Sequence, residues 1–123
     1  MGKCYRDLAA WQKAMQLAVI SYQLTALFPK HEVYGLASQL QRSAISVPSN
    51  IAEGNERESD KEFLHHLAYS LGSLAELETQ VELAFLLGYL NQQTIDEFRL
   101  KSAEVGRLIS GLRRHVQGRS NPK

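Results

Sequence analysis

Apolar residues recur along this chain at steps of three and four, and proline and glycine divide the recurrence into four stretches. In the first, Leu8, Trp11, Met15, Ala18, Val19 and Tyr22 mark one face of a helix, which Pro29 ends after Phe28. In the second, Val33, Leu36, Leu40, Ala44, Val47 and Ile51 hold the helical phase across Pro48. That predicts one helix kinked where the proline removes the hydrogen bond to the Ala44 carbonyl, with Gly54 placed to stop it in the left-handed conformation. The third opens on Ser59-Asp60-Lys61-Glu62, a capping box, and runs from Phe63 through Leu67, Ser70, Leu74, Leu77 and Val81 to Ala84, with Gly88 as its stop. Asn91 is placed to cap the fourth, whose seam is Ile95, Phe98, Ser102, Val105, Ile109, Leu112 and Val116.

The expected fold is therefore all-α: an antiparallel up-down four-helix bundle in one domain spanning residues 1–123. The helices are expected over about 7–28, 32–53, 60–87 and 92–116, followed by a frayed tail from 117 to 123. The first helix carries a second apolar stripe, Leu17, Ile20, Leu24 and Leu27, nearly opposite the Trp11–Met15–Tyr22 face. A monomeric bundle covers one face of a helix. The second stripe therefore reads as a subunit interface, with a wide core face as the alternative.

Length and composition agree with one globular domain: 123 residues, 44% hydrophobic, 22% charged, net charge +1. Cys4 is the only cysteine, which excludes an intrachain disulfide and a thiolate metal cage, and fits a reducing cytoplasm. The longest apolar run, near Leu83 to Leu90, is too short to span a bilayer, so no membrane partner is expected. No secretory signal is read, because Asp7, Gln12 and Lys13 interrupt the start.

Catalytic constellations are not legible. Glu62-Phe63-Leu64-His65 is the sole Glu-x-x-His, where a di-iron bundle needs two, and His65 and His66 read as surface residues. None of the histidines has an arginine at the spacing used by helical-bundle ribonucleases, and no Gly-x-Ser-x-Gly elbow or phosphate-binding glycine loop exists. No cofactor, metal or small-molecule substrate is expected, and the chain is read as no enzyme.

Charge is unevenly distributed. From Arg99 to Lys123 seven bases face one acid, Glu104, whereas from Glu53 to Glu82 eight acids face two bases. Helix dipoles and attraction between the two segments account for this in part. The functional reading is a basic end of the fourth helix, Arg107, Arg113, Arg114 and Arg119, as a candidate surface for RNA or DNA.

The run from Tyr34 to Gly54, and within it Ser46-Val47-Pro48-Ser49-Asn50-Ile51-Ala52-Glu53-Gly54, resembles the bacterial "four helix bundle protein" family, also called 23S rRNA intervening-sequence proteins. Phe63 to Leu90 resembles the family's third helix, and Leu8 to Trp11 with Phe28-Pro29 its first. The resemblance implies a four-helix bundle and homo-oligomers, with pentamers familiar among members. Some members are encoded inside intervening sequences of 23S rRNA genes. A related group, accessory proteins of diversity-generating retroelements, forms basic pentameric barrels that engage nucleic acid and a reverse transcriptase. No family-wide catalytic residues follow. Within the block, Ser46, Pro48, Asn50, Glu53 and Gly54 read as a structural motif: the proline frees a carbonyl, and polar neighbours supply partners to the backbone or to another helix. The overall expectation is a non-enzymatic oligomeric scaffold, most simply a homopentamer. A protein-interaction module without nucleic acid is the alternative, and a metal-dependent enzyme the remote one.

Overall fold

The computed structural model describes residues 4–120. Four helices make up the fold: α1 (Ala9–Thr25), α2 (Leu36–Asn55), α3 (Asp60–Leu86) and α4 (Gln92–Ser120), with single 3-10 turns at Tyr5–Asp7 and Lys30–Glu32. Among the described residues there is no strand. Each helix packs on its neighbours in chain order, and α1 closes the ring against α4.

Local chemistry sets most of the helix ends. The Ser59 hydroxyl accepts from the Glu62 amide at 3.2 Å, which starts α3. Gly88, at φ +86°, stops it: the Tyr89 amide reaches the Ala84 carbonyl and the Gly88 amide the Phe85 carbonyl, the paired bonds of a Schellman turn. The Asn91 side chain accepts from the Thr94 amide at 2.8 Å and starts α4. α1 ends three residues short of Phe28. The Ala26, Leu27 and Phe28 amides turn to carbonyls three residues back, and Pro29 then bars continuation.

Three details differ from the sequence reading. α2 is one helix across Pro48, but it does not stop at Gly54: it continues to Asn55, and Gly54 is not left-handed. The reason for a glycine there is proximity, since a Cβ on it would lie 2.7 Å from His66 Cβ and 2.8 Å from the Phe63 ring. α4 runs to Ser120 instead of fraying after 116, because Val116 is fully buried and Arg119 grips Asp60. The remaining tail residues, 121–123, lie outside the described residues.

The third difference concerns α1. Its core stripe is Ala10, Ala14, Leu17, Ser21 and Leu24, followed by Phe28, at strict steps of four and three. Leu17 and Leu24 are thus inside the bundle, and Ile20 packs against the core; of the expected interface stripe only Leu27 is exposed. Of the face read as core, Leu8, Trp11 and Ala18 do pack against the core, but Met15, Val19 and Tyr22 face outward, 41%, 57% and 43% exposed. The difference has a simple cause. Small residues at three of the core positions let α1 approach its neighbours closely, while the bulkier side chains, which dominate any reading by hydrophobicity, face outward.

The core is closed by Leu40, Val47 and Ile51 from α2, Leu67, Leu77 and Val81 from α3, and Ile95, Val105 and Ile109 from α4. Three buried serines, Ser21, Ser70 and Ser102, have bonded hydroxyls. Ser21 donates to the Leu17 carbonyl at 2.8 Å, and Ser102 to Glu78 at 2.8 Å.

Candidate functional site

The family-like block of α2 lies against α3 along a seam of polar side chains. Asn50 Nδ2 donates to the Ser46 carbonyl and to Ser46 Oγ, both at 3.0 Å. That fixes the amide orientation, so Asn50 Oδ1 faces His66 Nδ1 at 3.0 Å, and the network assigns the proton to Nδ1. Ser46 Oγ meets Ser73 Oγ at 2.7 Å. One turn away, Ser70 donates to the Val47 carbonyl at 2.7 Å, beside Pro48. Glu53 lies 3.7 Å from His66 Nδ1 and is mostly exposed. As positions rise along α2 from 46 to 53, their partners on α3 fall from 73 to 66, so the two helices run antiparallel. Ser46 and Asn50 therefore spend their polar groups inside the seam, and Gly54 supplies the close approach that lets His66 fit.

His66 was the residue missed in the sequence. Its side chain is 15% exposed and is no surface histidine. The available signal was its register: His66, Ser70 and Ser73 follow the same four-three step as Ser46, Asn50 and Glu53. A second unforeseen link joins the connections at the opposite end. Glu32 Oε1 accepts from the Leu36 amide at 3.0 Å, and Oε2 from the Tyr89 hydroxyl at 2.8 Å. These bonds hold the Glu32 carboxyl below the usual carboxylate range, and the carboxylate in turn raises the Tyr89 phenol.

The four arginines do not form one patch. Arg119 is engaged by Asp60, with contacts of 3.0 to 3.3 Å, and its guanidinium stands over the Phe63 ring. Arg113 is half-buried, and its Nε is buried without a hydrogen-bond partner. Arg107 and Arg114 are exposed, form no ion pair among the described residues, and line a groove of about 450 Å³ between α3 and α4 with Ala75, Glu78, Gly106 and Ser110. Seven residues apart on one helix, they sit about 10.5 Å apart along its axis. Arg99, at the other end of α4, is clamped bidentately by Glu82 at 2.6 and 2.7 Å; the guanidinium lowers the Glu82 carboxyl, and the carboxylate raises Arg99. Two of the bases, Arg99 and Arg119, are thus engaged by acids of α3, Glu82 and Asp60.

The outward face of α1 is apolar and uncovered among the described residues. Met15, Ala18, Val19 and Tyr22 form a nearly unbroken apolar surface, and Ile45 on α2 is exposed as well. From Ala14 to Phe28 the chain carries no charged residue. Among the described residues, no three of His, Cys, Asp and Glu are grouped to hold a metal ion, and no helix is long and apolar enough to cross a membrane.

Comparison with known proteins places this geometry. No curated protein matches the chain. Among solved structures, the chain is similar to a protein of unknown function from the S23 ribosomal protein family of Bacteroides thetaiotaomicron, at TM-score 0.77 and 23% identity, over 85% of this chain and 95% of that one. At that identity the likeness speaks for the four-helix fold. The model of the 23S rRNA-intervening sequence protein family matches residues 6–111, from the first turn through most of α4. The seam residues Ser46, Pro48, Asn50, Glu53 and Gly54 all fall inside the matched span, and the chain belongs to the 23S rRNA-intervening sequence protein family.

Proposed function

We propose that this chain is a non-catalytic helical scaffold that self-associates through the outward face of α1. The observation that carries the reading is the uncharged apolar stripe of Met15, Ala18, Val19 and Tyr22, with Val19 57% exposed. Contiguous apolar surface of this kind is costly to leave in water and is ordinarily covered by a partner. A face without charges packs against another copy with no like-charge repulsion. A closed ring, with a pentamer as the expected size, requires the α1 face of one copy to meet a different surface of the next, since the same face meeting itself closes as a dimer.

The same reading assigns RNA or DNA to the outer side of α4. Arg107 and Arg114 support it, being exposed and forming no ion pair among the described residues; each copy in a ring repeats the pair on one side. Arg113 and Arg119 have no part in it.

Absolute molar mass by light scattering tests the scaffold. A value near five times 13.8 kDa is expected. Met15→Glu with Val19→Glu is expected to lower it to 13.8 kDa with helical content unchanged. A wild-type monomer overturns self-association, and an unchanged assembly in the double variant overturns its placement on α1.

A further inference from the structure

We propose that the cavity between the end of α1, the 26–35 connection and the start of α2 binds a small apolar monoanion, an aromatic or short-chain carboxylate. The cavity measures about 580 Å³, within the range of small-molecule sites. Tyr22, Phe28 and Val33 supply apolar walls, and Ala26 and Ala37 leave the space between them. Two polar groups converge on it. Lys30 is exposed, lines the cavity and forms no ion pair among the described residues. Gln41 reaches it from α2, held by an Nε2 donation to Thr25 Oγ1 at 3.0 Å, which leaves its second N–H and its carbonyl for a ligand.

The walls are pinned before any ligand arrives. Phe28 packs on the Tyr89 ring at 5.3 Å between centroids. Tyr89 holds Glu32, and Glu32 holds the first amide of α2. A connection tied at three points keeps the cavity open at little entropic cost on binding. A cation, Lys30, and the Gln41 amide distinguish this site from the α1 face beside it, which shares Tyr22 with it but carries no charge. An apolar body sits against the aromatic walls, and its carboxylate meets the Lys30 ammonium and the Gln41 amide.

The test uses 8-anilinonaphthalene-1-sulfonate, an aromatic monoanion, titrated by fluorescence into the full chain, with octanoate as competitor and octanol as the neutral control. Octanoate is expected to displace the probe and octanol to do so weakly. Lys30→Glu is expected to weaken the probe about tenfold. Ala26→Phe, on an exposed position that fills the cavity from its rim, is expected to abolish saturable binding with helical content unchanged. Val19→Glu is expected to leave it intact. Equal binding to wild type, Lys30→Glu and Ala26→Phe overturns the proposal. Loss on Val19→Glu alone also overturns it, by assigning the probe to the self-association face.

Discussion

The Tyr89 hydroxyl donates to Glu32 Oε2 at 2.8 Å, across 57 positions of sequence, and ties the α3–α4 connection to the α1–α2 connection. The pair titrates at both ends of the pH scale. Glu32 is depressed in the folded chain, by the Leu36 amide first and Tyr89 second. Its contribution is therefore present above the unfolded carboxylate value, near 4.5, and is lost as pH falls through the depressed value. Tyr89 is raised by Glu32, so its contribution is present below the unfolded phenol value, 10.0, and is lost as pH climbs through the raised one. Thermal melts across pH are expected to show a plateau between these limits and a decline on each side. Tyr89→Phe is expected to lower the plateau and to remove most of the alkaline decline. An alkaline limb unchanged in that variant would deny the bond its role.

Glycines in α2 and α3 are expected to respond in opposite directions to alanine. At Gly54 a new Cβ meets His66 Cβ at 2.7 Å and the Phe63 carbonyl at 3.3 Å, so α2 and α3 must separate. The expected loss is about 1–3 kcal/mol in urea denaturation. At Gly72, inside α3, nothing lies within 4 Å of the added carbon, and the substitution is expected to gain about 0.5–1 kcal/mol from helix propensity alone. A neutral Gly54→Ala would mean that the two helices are less closely opposed than described.

Asn50 holds three polar partners at once, which takes a neutral amide that both donates and accepts. Asn50→Asp replaces a donor with a carboxylate oxygen facing the Ser46 carbonyl at 3.0 Å. Stability is expected to fall by about 1–3 kcal/mol, the scale of an unsatisfied or opposed partly buried group. Adding His66→Ala to that variant separates the two halves of the network. If His66 is bound only through Asn50, the double variant costs less than the two single ones together.

Much of the fold was legible because the signals were local. Ser59, Asn91 and Gly88 act on amides within four residues of themselves, and their roles could be read directly. The failures came where a partner far along the chain decides. The core stripe of α1 was misplaced in part because periodicity yields two stripes and does not say which one meets α2 and α4; Ala10, Ala14 and Ser21 look too small to be core until the neighbouring helices are in place. Gly54 carries the same residue type as a helix stop but answers to His66 and Phe63 on α3. The basic run of α4 looked continuous because Asp60 and Glu82, which engage Arg119 and Arg99, lie on another helix.

That last point shapes the nucleic-acid test. Of the four arginines Arg107, Arg113, Arg114 and Arg119, only Arg107 and Arg114 are available to phosphates without first breaking an ion pair among the described residues or unburying a guanidinium group. If the outer side of α4 binds RNA or DNA, Arg107→Glu with Arg114→Glu is expected to weaken binding at every sequence alike. It should also reduce the slope of log K against log salt by about 0.9 for each arginine that meets a duplex phosphate. Arg119→Glu is expected to act differently. It opposes Asp60 with a like charge at the end of α4, so it lowers thermal stability while leaving the salt slope in place. Fluorescence anisotropy with a short duplex, at several salt concentrations, separates the two. An equal loss of slope from Arg119→Glu would return that residue to the binding surface, and no binding by the wild type at low salt would remove nucleic acid from the proposed function.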